Sequence, residues 1–128
     1  MGFRLLIADD SAAMRQVIRR VIELSGFEVD EFLEAADGDD ALRLLRSEPI
    51  DVILTDINMP NINGEQLLCS MQQEDLLRAK PVIVVSTDAT EHRIHRMLAL
   101  GAKGYITKPF YPEALRQELE RVLGVENE

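Results

Sequence analysis

The sequence predicts an α/β protein with an open, parallel sheet covered by helices on both faces. Two observations carry that expectation. Leu5-Leu6-Ile7-Ala8, Val52-Ile53-Leu54-Thr55 and Val82-Ile83-Val84-Val85 are continuous apolar runs without polar alternation, as strands buried on both faces require. Between and after them, apolar residues recur at helical spacing, so strands and helices alternate.

The elements follow in order. A first strand near 4–9 leads into a helix whose Met14, Val17, Ile18, Val21 and Ile22 form one stripe at i, i+3, i+4, i+7 and i+8, ending at Gly26. The second strand falls near 28–34, although that segment is strongly acidic. A second helix is carried by Leu42 with Leu45. The third strand, near 51–56, precedes a helix with Leu67, Leu68 and Met71 as its apolar face and an Asn63/Gln66 capping box at its start. The fourth strand, near 81–86, is followed by a helix capped by Thr90 and carrying Ile94, Met97 and Leu98. A fifth strand near 104–107 and a last helix with Leu115, Leu119 and Val122 complete five β-α units. Gly101 and Gly124 suit the left-handed position that closes a helix. Right-handed crossovers then give the open sheet.

The 128 residues, 46% of them hydrophobic, are enough for one buried core. The apolar runs are strand-sized and nothing resembles a secretory signal, so the chain reads as soluble and cytoplasmic. A net charge of −9 opposes the phosphate attraction on which nucleic-acid binding depends. The charge is uneven. Glu28, Asp30, Glu31, Glu34, Asp37, Asp39 and Asp40 occur without an intervening base, whereas Arg93, Arg96, Lys103 and Lys108 gather later. The single Cys69 has no disulfide partner and reads as a small core residue of its helix; His92 and His95 read as exposed.

Chemistry in such a sheet belongs at the carboxyl ends of the strands. Asp9 and Asp10 follow the first strand, Asp56 the third, Ser86 the fourth and Lys108 the fifth. Three crowded carboxylates repel one another and favour a cation, and hard oxygen donors with room for water suit Mg²⁺. A bare cation site has no need of Lys108 or Ser86. A phosphoryl acceptor does, because an ammonium, a hydroxyl and a metal can each take a phosphoryl oxygen. Asp56, ending the central strand, is the natural nucleophile.

The motifs Ile7-Ala8-Asp9-Asp10, Leu54-Thr55-Asp56-Ile57-Asn58-Met59-Pro60 with Gly64, Val84-Val85-Ser86-Thr87 and Gly104-Tyr105-Ile106-Thr107-Lys108-Pro109-Phe110 resemble those of response-regulator receiver domains, in particular the stand-alone chemotaxis, CheY-like type. The resemblance runs nearly end to end. It implies a flavodoxin-like three-layer α/β/α sandwich, strand order 2-1-3-4-5 with five helices, and one receiver domain over 1–124 with a short tail, 125–128.

It also implies that Asp56 takes a phosphoryl group from a sensor histidine kinase or phosphotransfer protein, in a two-component system, with small phosphodonors as substitutes. Asp10 and Asp56 would ligate Mg²⁺ (or Mn²⁺), Asp9 would act mainly through water, and the Asn58 backbone carbonyl would complete the protein ligands. Lys108 and Ser86 would contact the phosphoryl group, Tyr105 would turn inward as Ser86 moves, and Lys108-Pro109 would be cis. Asn58, Thr87 and Asp88 would govern access; Thr87 stands where the family often has Ala or Gly. Such a chain is a phosphoacceptor promoting its own phosphorylation and dephosphorylation rather than an enzyme on other substrates. A downstream protein would dock on the fourth helix, fifth strand and fifth helix, through Arg93, Arg96, Lys103 and Tyr105, with no DNA-binding or enzymatic domain appended.

Three rivals remain. A haloacid-dehalogenase-like phosphatase would open with its nucleophile in a D-x-D pair, whereas Asp9-Asp10 come first here and Asp56 is followed by Asn58. A flavin binder would need a phosphate loop where this chain places two carboxylates. A phosphorylation-independent adaptor on the same fold would share every motif.

Overall fold

A computed structural model describes residues 2–125; residues 126–128 of the expected tail lie outside the described residues. Five strands, β1 (Phe3–Ala8), β2 (Val29–Ala35), β3 (Val52–Thr55), β4 (Val82–Ser86) and β5 (Gly104–Thr107), form one parallel sheet of order β2-β1-β3-β4-β5. Six helices are described: α1 (Ala12–Ser25), α2 (Gly38–Ser47), α3 (Gly64–Gln72), α4 (Asp75–Arg78), α5 (Glu91–Ala99) and α6 (Pro112–Leu123). The sequence predicts five. The addition is α4, a single turn that buries only Leu77 and is too short to reveal a period. The fourth and fifth predicted helices are therefore α5 and α6.

Because strand side chains alternate between faces, each apolar run feeds two cores. Leu5, Ile7, Val52, Leu54, Ile83 and Val85 pack with Ile18 and Ile22 of α1 and Leu115 and Leu119 of α6. Leu6, Ala8, Ile53, Val82 and Val84 pack on the other face with α2, α3 and Met97 of α5. This makes three layers.

Helix ends form where the side chains can satisfy exposed N–H groups. Ser11, Asp37, Asn63 and Thr90 cap α1, α2, α3 and α5, and Asn63 with Gln66 completes the reciprocal capping box. Gly26 ends α1 with φ 81°, in the left-handed region that glycine enters without a Cβ penalty.

Three apolar expectations are corrected, the first being Leu98 of α5, which is 42% exposed while Met97 takes the inner face. Val17 is 49% exposed, because the buried face of α1 is centred on Ile18 and Ile22. Cys69 is exposed, not part of the core: Gly64, Leu67, Leu68 and Met71 take the inner face of α3, and position 69 points outward. His92 and His95 are exposed, as expected. No described helix is long and apolar enough to cross a membrane.

Candidate functional site: the carboxyl rim of the sheet

The direction in which successive strands are added across the sheet reverses between β1 and β3, although the strands themselves stay parallel. The loop after β1 leads to α1 on one face and the loop after β3 to α3 on the other, which opens a crevice between them. The sheet ladder carries the site residues to its rim. Asp9 N–H donates to Ala35 O at 3.0 Å, Asp56 N–H to Ala8 O at 2.9 Å, and Lys108 N–H to Ser86 O at 2.8 Å. Asp9, Asp56 and Lys108 thus each stand one residue beyond the last paired residue of their strands.

Asp9, Asp10 and Asp56 offer carboxylate oxygens lying within 4.8 Å of one another. Asp9 is 2% exposed, Asp10 is open to solvent and Asp56 lies between these extremes. Lys108 reaches across from β5: its Nζ is 3.2 Å from Asp9 Oδ2 and 3.7 Å from Asp56 Oδ2. Three carboxylates against one ammonium leave excess negative charge, and the donor set is hard oxygen with a solvent-facing side, a fit for a hard divalent cation.

Burial pushes the Asp56 carboxyl above the usual aspartate range; Lys108 and the Ile57 N–H oppose the rise, while Asp9 and Asp10 add to it. The Ile57 N–H donates to Asp56 Oδ1 at 2.7 Å. Behind this segment Gly64 fits so closely that a Cβ there would stand 2.5 Å from Asp56 O.

Ser86 is buried at the end of β4, and its Oγ accepts from the Asp88 N–H at 3.1 Å. The Asp88 carbonyl in turn accepts from the Tyr105 hydroxyl. Burial raises the Tyr105 phenol above its ordinary value, with the nearby Ser86 hydroxyl opposing the shift. Tyr105 is half-buried against the core that contains Met97. Asn58 and Thr87 are exposed, and the Lys108-Pro109 bond is cis. The Asp88 carboxylate is occupied by Thr90, through N–H at 3.0 Å and Oγ1 at 2.7 Å, and by Arg93 at 3.3 Å. The Thr90 hydroxyl and backbone hold it below the usual range.

The basic residues counted in the sequence do not form one patch. Arg93 and Arg96 both pair with Glu65 of α3, at 3.2 and 2.8 Å. Lys108 is in the crevice. Lys103 precedes β5 at the opposite end of the sheet, where its backbone bonds Val82 O. A sequence count cannot see that Glu65, distant in the chain, pairs with both arginines, or that Asp88 also pairs with Arg93.

Sequence reading also passes over Arg15. Its Nη1 donates to Asp9 O at 2.6 Å and its Nε to Glu34 Oε1 at 2.8 Å. A signal existed: a cation near the start of a helix opposes the helix dipole and implies a specific anionic partner.

The chain belongs to the response regulator receiver domain family, whose model matches residues 5–120. It is 38% identical over 122 residues to the chemotaxis protein CheY homolog of Campylobacter jejuni, an alignment covering 94% of this chain and 92% of that one. It is 34% identical to chemotaxis protein CheY of Pseudomonas aeruginosa, over 93% of this chain and 94% of that one.

Among solved structures, the chemotaxis response regulator CheY4 of Vibrio cholerae superposes with a TM-score of 0.84 at 31% identity, covering 96% of this chain and 100% of that one. The receiver domain of a sensor histidine kinase from Pseudomonas aeruginosa, solved with a magnesium ion coordinated in its active-site cleft, gives 0.84 at 25% identity, with coverage of 97% and 99%. The strand order 2-1-3-4-5 and the CheY-like class expected from the motifs agree with these findings.

Proposed function

We propose that this chain is a phosphorylation-dependent switch of a two-component system that accepts a phosphoryl group on Asp56 from a phosphohistidine of a sensor kinase or phosphotransfer protein. The observation that carries this reading is the bridging Lys108, 3.7 Å from Asp56 and 3.2 Å from Asp9, which leaves a carboxylate nucleophile beside a fixed cation. Asp10, Asp56 and the Asn58 carbonyl would hold Mg²⁺ (Mn²⁺ as a substitute), with Asp9 acting through water. When bound, the metal neutralises charge on the phosphoryl oxygens and the attacking carboxylate.

The protein's own residues do the rest. An Asp56 carboxylate oxygen forms the O–P bond while the P–N bond of the donor breaks and its electron pair returns to the imidazole. The Lys108 ammonium stabilises the charge that arrives with the phosphoryl group. Ser86 Oγ–H is a donor that the Asp88 N–H contact does not use, and it is available to a phosphoryl oxygen.

Moving Ser86 disturbs its bond to Asp88, and Asp88 also holds the Tyr105 hydroxyl, so one residue joins the acceptor site to the aromatic ring. The α5, β5 and α6 face is the proposed output surface, centred on Tyr105 and on Arg93 and Arg96 as released from Glu65. Lys103 stands at its far end. Asn58, Thr87 and Asp88 border the access path.

The test is incubation with Mg²⁺ and a small phosphodonor such as acetyl phosphate. Intact mass should rise by one phosphoryl group, and the gain should vanish in Asp56→Asn. No addition from any donor overturns the switch and leaves the phosphorylation-independent adaptor. Steady release of phosphate from unrelated esters points to a phosphatase.

A further inference from the structure

We infer that Arg15 is a positioning residue for the cation site: with Glu34 on the edge strand, it locks the Asp9–Asp10 peptide and so sets where Asp10 projects into the crevice. This rests on the reading of the rim given under the proposed function.

Every polar group of Asp9 is engaged. Its N–H donates to Ala35 O at 3.0 Å, its Oδ1 accepts from Ser11 N–H at 2.9 Å and its Oδ2 from Lys108 Nζ at 3.2 Å. Its carbonyl accepts from Arg15 Nη1 at 2.6 Å. Asp10 is the opposite case. It is exposed, and its carboxylate takes no hydrogen bond among the described residues. Only its backbone can orient it, and the peptide plane leading into Asp10 contains the carbonyl that Arg15 holds.

Arg15 is itself fixed from the other side. Its Nε reaches Glu34 Oε1 at 2.8 Å, with side chains only 16% and 27% exposed, and Arg19 approaches the same carboxylate at 3.7 Å. Glu34 is fixed in turn because β2 pairs with β1 in register, Glu34 opposite Ile7. The planar guanidinium can serve the carbonyl and the carboxylate at once; a lysine offers a single point.

Two effects oppose each other here, and their signs differ. Removing a cation beside a cation site should, by charge alone, tighten Mg²⁺ binding. Removing the residue that orients a ligand should weaken it, and outer partners of metal ligands typically contribute roughly 10- to 100-fold to affinity. Because Arg15 is already neutralised by Glu34, positioning dominates.

The experiment is calorimetric titration of the full chain with Mg²⁺ alone, for wild type, Arg15→Gln, Arg15→Lys, Glu34→Gln and the Arg15→Gln/Glu34→Gln pair, with denaturant unfolding of each. Arg15→Gln should weaken binding about 10-fold. Arg15→Lys should recover part of that loss, Glu34→Gln should weaken binding less and in the same direction, and the pair should match Arg15→Gln alone. Unchanged or tighter binding in Arg15→Gln, with or without lost stability, overturns the inference. If Arg15→Gln does not fold, Arg15→Lys decides, because it keeps the charge and loses the planar two-point grip: weaker binding supports positioning, and unchanged or tighter binding overturns it. Absence of Mg²⁺ binding in wild type overturns the underlying reading of the rim instead, so the two failures are distinct.

Discussion

Lys108 Nζ stands between two carboxylates from different strands, 3.2 Å from Asp9 and 3.7 Å from Asp56, with the lysine side chain 12% exposed. It is the countercharge of the crevice, so its loss leaves Asp9 buried without compensation and three carboxylates in mutual repulsion. Lys108→Met should cost about 3 kcal/mol of stability, the scale for breaking a buried pair from one side. Urea denaturation at neutral pH and low divalent ion checks this.

Asp56 gives a pH dependence of stability. Its folded value lies above the ordinary 3.8, chiefly through burial, so ionising it opposes folding. Its contribution is fully favourable below the unfolded value and is lost as pH rises through the folded one. Asp56→Asn should therefore be more stable than wild type at pH 7 without metal, with the gain shrinking as pH falls toward the ordinary aspartate value. Parallel denaturation curves from pH 7 down to the acid limit of folding measure it.

Metal should reverse that order. At a Mg²⁺ concentration about a hundred times its dissociation constant, wild type should gain about 2.7 kcal/mol, and Asp10→Asn and Asp56→Asn should gain much less. Thermal unfolding with and without Mg²⁺ is sufficient. Equal gains in all three proteins would place the binding elsewhere.

Gly64 connects packing to chemistry. A Cβ at this position would meet Asp56 O at 2.5 Å and Ile57 Cα at 2.8 Å, both backbone atoms that cannot swing aside. Gly64→Ala should cost about 1–3 kcal/mol and slow phosphoryl uptake, because relief of the clash moves Asp56. Denaturation and mass-resolved time courses give the two readouts.

Tyr105→Phe keeps the ring on the core and removes the bond to the Asp88 carbonyl. The expected loss is about 1 kcal/mol. Phosphorylation of Asp56 should persist, while binding of any downstream partner changes; thermal unfolding and mass analysis separate these effects.

Much of this was legible in the residues. Asp9, Asp10, Asp56, Ser86 and Lys108 stand out in the sequence because parallel strands bring their carboxyl ends to one rim, whatever lies between them. The central runs were legible because burial on both faces forbids polar alternation. Other features needed the fold. The one-turn α4 has too few residues for a period, Val17 extends a stripe that the sheet does not cover, and Cys69 sits among leucines whose spacing turns it outward. Pairing of Arg93 and Arg96 with Glu65 joins segments separated by a strand and a helix, so charge counted along the chain misplaces the free surface.

Cys69 offers something practical. The chain's one thiol lies on the outward side of α3, in a groove it shares with Glu65 and Arg96. A single environment-sensitive dye attached there needs no engineered cysteine and no removal of others. Its emission would follow, in real time and in unmodified sequence, whether the two arginines of α5 let go of Glu65 when Asp56 is loaded.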